Sequence, residues 1–483
     1  MHGRFIAKVS MFGLLAGATF SVGASEGDID PSFGVGGVAL FPPALSGAFG
    51  ASGPLIQRDG KIVFCGVSIS TDGLRYGGFV TRLNVDGSLD SSFGDAGRVE
   101  LDSGDYTVPC PGFALQVDGK IVIASSSKRD WADPVTDRNE HIIRLEADGG
   151  IDASFGDGGI ATIDFTDATI DSQLAMAIQP DGAIVVGIPI YPAAFGLVRA
   201  DANGAWDSSF GVNGRVNIPF STDPSALPSV GAILADTQNR VVVAGVIRPD
   251  GSLYGSFAAA RVLQDGTVDS SFGSDGRAMI DMGSRDCHLL TALLQNDGRI
   301  LLAGSATTVF SASVNAPNTD AAVARLLDNG TLDPSFGNGG YKILPIDLVQ
   351  NGSDEVFGGM VRNDQRIVLT GTARDLYASK GLIVQLDPDG NPVDDFGSNG
   401  ARVYDLHHGS GDGNRQVFQG VGVQGSEYVI VGSAIDFYDM DNVFVARLDG
   451  GSVRRHTVSP ARSPLSMNPL QPGIEPRIRR TSP

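Results

Sequence analysis

The chain has 483 residues, 65 of them Gly, with 19% charged residues and a formal net charge of −20. A Gly-rich, charge-poor composition with many short apolar runs favours strands and tight turns over helices. So acidic a chain is expected to repel nucleic acid and anionic membrane surfaces.

The first residues predict a signal peptide over 1–24. Arg4 and Lys8 supply its positive start, residues 9–24 are apolar or small, and Val22-Gly23-Ala24 fits a cut after Ala24. No Cys lies near the cut, so lipidation is not expected, and no transmembrane segment follows it. The expected location is secreted or periplasmic. Residues 450–483 are rich in Pro, Ser and Arg and predict a disordered basic tail. Without leader and tail, the body over 25–449 carries a charge of −27.

One motif recurs through this body as Asp-x-Ser-Phe-Gly-x-x-Gly. Its Phe falls at Phe33, Phe93, Phe155, Phe210, Phe272, Phe336 and Phe396. Two further motifs keep the same period of about sixty residues. One is a Gln-x-Asp-Gly turn leading into an apolar strand, as at Gln57, Gln116, Gln179 and Gln295. The other is a strand ending in Arg-Leu before a second Gly turn, as at Arg82, Arg144 and Arg325. Each repeat thus predicts four short antiparallel strands joined by tight turns. The expected fold is all-β: a seven-bladed β-propeller over 25–449, four antiparallel strands per blade. The chain opens on a half repeat, so Val38–Phe41 is expected to join the last blade and to close the ring.

These motifs resemble the delta-60 repeat family of bacterial proteins, from about Asp28 to Asp449. The resemblance implies a propeller-like fold and no established activity.

Within the repeat, an Arg and an Asp stand eight residues apart: Arg82 and Asp90, Arg144 and Asp152, Arg199 and Asp207, Arg261 and Asp269, Arg325 and Asp333. One copy loses both together, with Gln385 and Val393 in their places, so the two side chains are expected to touch. Ring closure extends the rule to Arg447 with Asp30. The motif Phe is expected to plug each blade, and Trp206 reads as structural. Of the three cysteines, Cys65 reads as a buried strand residue, and the odd count predicts neither a disulfide framework nor a zinc site.

No catalytic constellation stands out, so no catalytic residue and no cofactor are assigned, and metal binding is left open at His407-His408 and Asp412. Motif turns fall at one end of the strands and variable loops at the other, and binding usually resides in variable loops. Candidate binding residues on that face are Asp105, Tyr106, Trp131, Asp171, Tyr191, Asp286, His288, Asp354, Glu355, Tyr377 and Tyr438. Acidic loops with interleaved aromatics suit a cation, a basic protein or a polar polymer as partner. The expected function is that of an exported, monomeric, non-enzymatic binding or scaffold protein. The alternative is a propeller hydrolase or lyase acting on a glycan or other polymer.

Overall fold

A computed structural model describes residues 25–41, 48–69, 76–101, 106–107, 110–128, 138–163, 174–223, 225–248, 254–283, 286–311, 316–346, 352–374, 378–406, 415–435 and 442–451. The expected leader and nearly all of the expected tail lie outside these residues. Among the described residues every regular element is a strand.

Tight Gly turns make the hairpins. Gly60, at φ +83°, donates its N–H to Gln57 O at 2.9 Å, and Gln116, Gln179 and Gln295 close their turns in the same way. The strands that result fall in chain order. The N-terminal β1 (Val38–Phe41) stands apart from the sheet that follows it in sequence. That sheet holds β2 (Ala48–Ile56), β3 (Ile62–Ile69), β4 (Tyr76–Leu83) and β5 (Arg98–Leu101). The next holds β6 (Tyr106–Thr107), β7 (Gly112–Leu115), β8 (Ile121–Lys128), β9 (Arg138–Leu145) and β10 (Ile160–Ile163). A third holds β11 (Ala175–Ile178), β12 (Ile184–Ile190), β13 (Ala194–Ala200) and β14 (Arg215–Pro219). A fourth holds β15 (Pro228–Ala235), β16 (Val241–Ile247), β17 (Ser256–Val262) and β18 (Arg277–Ile280). A fifth holds β19 (Cys287–Leu294), β20 (Ile300–Ser311), β21 (Ala316–Leu326) and β22 (Tyr341–Leu344). The remaining strands are β23 (Asp354–Val361), β24 (Ile367–Arg374), β25 (Ser379–Leu386), β26 (Ala401–Tyr404), β27 (Arg415–Gln424), β28 (Glu427–Ile435) and β29 (Asn442–Leu448).

This hydrogen bonding corrects the expectation of a seven-bladed propeller. Five sheets stand as self-contained blades. The other eight strands form one continuous sheet, in the order β1-β29-β28-β27-β25-β24-β23 with β26 on β25. A parallel pairing of Ser379 with Arg415 joins its two antiparallel halves. The sequence period counts strand-forming repeats, but it does not register a backbone bond between neighbouring repeats.

The first strands of successive repeats touch one another: β2, β7, β11, β15, β19, β23 and β27 follow in turn, and β27 returns to β2. Apolar cores lie between adjacent sheets. One packs Val185, Phe195 and Leu197 against Val230, Val241 and Val243. Several first strands carry a β-bulge at one place, as between Val230 and Ala232 and between Leu289 and Thr291. A Gly inside the following strand, opposite the bulge, explains the close approach there. A Cβ on Gly304 would lie 1.9 Å from His288 O, and one on Gly245 would lie 1.8 Å from Ser229 O.

In the repeats that keep it, the Arg is a staple with three attachments. Its guanidinium meets its own turn's Asp: Arg82–Asp90 at 2.7 Å, Arg144–Asp152 at 2.6 Å, Arg199–Asp207 and Arg261–Asp269 at 2.7 Å, Arg325–Asp333 at 2.8 Å. It stacks over its own motif Phe, as Arg144 does over Phe155 at 4.4 Å. Its Nη1 also donates to a carbonyl in the next repeat's turn: Arg82 to Ala147 O and Arg144 to Ala202 O at 2.5 Å, Arg261 to Asp328 O, Arg325 to Pro388 O. Each motif Phe is fully or almost fully buried. A Cβ on Gly149 of the following turn would lie 2.9 Å from the Phe93 ring. Burial pushes the Asp90 and Asp152 carboxyls up, but hydrogen bonds from the Lys, Ser, backbone and Arg donors outweigh it and hold both well below the usual range.

The two chain ends build the last turn together. Strand β1 pairs with β29, Val38 opposite Ala446. Arg447 meets Asp30 at 2.7 Å and stacks over Phe33 at 5.0 Å. Gly27 N donates to Asp449 O at 2.6 Å and Asp30 N to Arg447 O at 2.9 Å, as continuous chain does in the other repeats. The repeat that lost its Arg and Asp faces this split turn. There the residue types are exchanged: Arg362 stands where other repeats have Gln57 or Gln179, and Gln385 stands where they have Arg. The missing carboxylate comes from Glu26. Its Oε1 accepts from Arg362 Nη1 at 2.5 Å, Gln385 Nε2 at 2.7 Å and the Tyr428 hydroxyl at 2.8 Å. Arg362 Nη1 also donates to Gly450 O at 2.8 Å, so the link to the neighbouring turn survives.

Two outcomes follow from these contacts. Arg261→Ala strands the buried Asp269 carboxylate and is expected to cost about 3–5 kcal/mol in chemical denaturation. Arg144→Ala is expected to cost less, because Lys120 Nζ remains 2.7 Å from Asp152. Equal losses would show that charge compensation does not set the cost.

Glu26→Ala removes the acceptor shared by Arg362, Gln385 and Tyr428. It is expected to lower stability by about 1.5–3 kcal/mol, the scale of a hydrogen bond to a charged group. A thermal melt unchanged from the parent would show that the split turn closes without it.

Candidate functional site at the mouth of the inner strands

The variable-loop end gathers the starts of the first strands. Pro111, Leu174, Ser229, Val230, Gly231, His288, Leu289 and Leu290 line a hollow of about 300 Å³ there. These residues come from the beginnings of four successive sheets. Strand alternation decides which side chains face it: Cys287 and Leu289 are buried, whereas His288 and Leu290 are exposed. The walls are therefore mostly apolar, with Ser229 and His288 supplying polar groups.

Asp286 fixes the polar edge. Its Oδ1 accepts Gly255 N at 2.8 Å and Cys287 N at 3.2 Å, so it ties the loop of one sheet to the start of the next. Its backbone carbonyl accepts Thr307 N at 2.7 Å. Its Oδ2 lies 3.8 Å from His288 Nε2, and both side chains are open to solvent. This arrangement presents an anchored carboxylate and an imidazole beside an apolar hollow. It can hold a ligand that combines an apolar part with a basic or hydrogen-bonding head.

The other sequence candidates divide. Asp105, Trp131, Asp171, Tyr377 and Tyr438 lie outside the described residues, as do His407, His408 and Asp412. Tyr106 opens β6, and its side chain lies outside the description. Tyr191 sits half-buried in the tight turn between β12 and β13. Asp354 is corrected: it is 0% exposed, and its Oδ2 accepts Ile346 N at 2.9 Å, which ties Ile346 to the start of β23. Glu355 is half-buried and held by Arg374 Nη2 at 2.8 Å. Among the described residues no group of three or more His, Cys, Asp or Glu is placed to hold a metal.

Sequence reasoning missed two features. Cys65 is buried, as expected, but it forms a disulfide with Cys110, Cα to Cα 6.3 Å, which links β3 to the start of the next sheet. Cys287 is left as a buried thiol, which explains the odd count. Trp206, set aside as structural, is 38% exposed and lines a cleft of about 540 Å³ at the turn end.

Three segments, residues 57–93, 116–155 and 295–336, match the family described as "Domain of unknown function (DUF5122) beta-propeller". No curated protein sequence matches the chain. Among solved structures, an α-L-arabinofuranosidase of Fusarium graminearum is similar at 9% identity and a TM-score of 0.44, covering 71% of this chain and 92% of that one. A lectin of Burkholderia pseudomallei is similar at 11% identity and a TM-score of 0.41, covering 84% of this chain and 97% of that one. A Trypanosoma rangeli sialidase is similar at 11% identity and a TM-score of 0.40, covering 84% and 55%. Likeness at this level carries no argument about activity. The three matched segments are thus similar to β-propeller repeats of a family of unknown function.

Proposed function

We propose that this chain is an exported, non-enzymatic binding protein of the delta-60 repeat kind, acting as a monomer with its ligand at the mouth of the inner strands. The observation that carries the reading is the anchored Asp286–His288 pair beside an apolar hollow. The ligand class that fits is a small molecule or side chain with an apolar part and a basic head. Export is supported by the Cys65–Cys110 disulfide, since such bonds persist mainly in oxidising compartments. Removal of residues 1–24 belongs to the same reading, as does a free basic tail after the body.

Two measurements test it. A series of primary alkylamines, matched with alcohols and carboxylates of equal length, is screened for thermal stabilisation of the purified protein. The amines are expected to stabilise, by about 2.7 kcal/mol at a hundredfold excess over Kd. His288→Ala and Asp286→Asn are expected to weaken the effect. Equal stabilisation by carboxylates, or an unchanged response in His288→Ala, overturns the site.

For the disulfide, protein isolated from the oxidising compartment and unfolded in denaturant is expected to show one reactive thiol, from Cys287. Full reduction raises this to three, and reduction is expected to cost about 2–4 kcal/mol of stability. Three reactive thiols before reduction would remove the support for export.

A further inference from the structure

Trp206 occupies a repeat position that the fold fills elsewhere with Ile29, Leu89, Ile151, Val268, Leu332 and Pro392. In each case the side chain covers a turn Gly. A Cβ on Gly97 would lie 2.5 Å from Leu89 Cγ, and one on Gly214 would lie 2.3 Å from Trp206 Nε1. An aliphatic side chain does this job, so the scaffold does not require an indole. The indole is also fixed in place. Its Nε1–H donates to Asn213 O at 3.2 Å, and Asn213 itself holds φ +52°.

The surplus ring forms one wall of a cleft of about 540 Å³ between neighbouring sheets. Thr162, on β10 of one sheet, faces Trp206, Val212, Asn213 and Arg215 of the next. That volume lies within the roughly 300–1,000 Å³ of small-ligand sites. The Arg215 guanidinium lies 5.7 Å from the indole centroid. Val212, 77% exposed, extends the apolar floor. An aromatic face, a neighbouring guanidinium and a hydroxyl are the groups that take a pyranose bearing a carboxylate. The ring's C–H face lies on the indole, and the carboxylate meets the guanidinium.

We propose that this cleft binds an acidic sugar residue, a uronic acid within an oligosaccharide. The site lies at the turn end of the strands, opposite the mouth, and does not depend on the function proposed there. The body's −27 charge repels polyanions at long range, so recognition is confined to a short segment at Arg215.

The test is calorimetric titration of the full chain with a galacturonic acid trisaccharide and with its neutral galactose counterpart. The acidic trisaccharide is expected to bind, and the neutral one at least tenfold more weakly. Trp206→Leu places in the cleft the residue that positions 89 and 332 already hold, so the fold is expected to survive, as a melt at the parent temperature shows. Its affinity is expected to fall at least tenfold. Arg215→Gln is expected to abolish the preference for the acidic sugar. No binding by the parent, or unchanged affinity in Trp206→Leu, overturns the site. Equal binding of the two trisaccharides by the parent overturns the carboxylate assignment.

Discussion

The repeated Arg is the constraint on which the rest of the structure depends. A hydrogen bond within a hairpin fixes only that hairpin. The guanidinium of Arg82 instead holds Asp90 in its own turn and Ala147 O in the next repeat, while stacking over Phe93. A second backbone link runs parallel to it, from Gly94 N to Asp148 O at 2.8 Å. Apolar cores between sheets pull them together without choosing a register. The Arg staple chooses one, because a planar fork satisfies a carboxylate and a carbonyl in only one relative placement. Replacing a buried pair by apolar groups can leave stability unchanged, so the staple is better understood as setting which turn meets which.

The exceptional repeat shows the same requirement met by other means. Where the Arg became Gln385, the position usually held by Gln became Arg362. The cation moved across the turn, and its carboxylate now comes from Glu26, 336 residues away in sequence. This is also the place where the chain is cut. Other turns keep their halves together covalently. Here Gly27, Asp28 and Asp30 must find Arg447 and Asp449 unaided. The charged cluster of Glu26, Arg362 and Arg366, joined by Arg402 with Asp28, supplies attraction where the backbone supplies none. Burial pushes the Tyr428 hydroxyl further above its ordinary pKa, which keeps it a donor to Glu26.

Much of this was legible in the sequence because repetition turns one observation into several. Joint retention of Arg and Asp, with joint loss at Gln385 and Val393, pointed to contact, and the half repeat at Asp30 pointed to closure through Arg447. The exchange at Arg362 carried a signal too: a Gln became Arg in the one repeat where an Arg became Gln. The number of separate sheets was not legible, because the Ser379–Arg415 pairing is a backbone event with no side-chain signature. The Cys65–Cys110 bond was hidden because the two residues occupy different repeats and the odd Cys count has no motif spacing. Asp354 misled because an Asp in a loop reads as solvated. Its neighbour Ile346 N needs an acceptor, and the strand start draws that carboxylate inside.

The repeat frame also separates what a residue does for the scaffold from what remains. Leu89 and Leu332 cover a turn glycine and offer only aliphatic carbon to solvent. Trp206 covers Gly214 and still leaves much of its ring in solvent beside Arg215. The same subtraction applies at the other end. Asp354 is buried against Ile346 N, whereas Asp286 satisfies two backbone donors with one oxygen and turns the other toward His288. A group that meets its structural obligation with capacity left over is where chemistry directed outward can begin. In a fold made of near-identical units, that surplus can be measured against the neighbours, and position alone would not have distinguished Trp206 from Ile151.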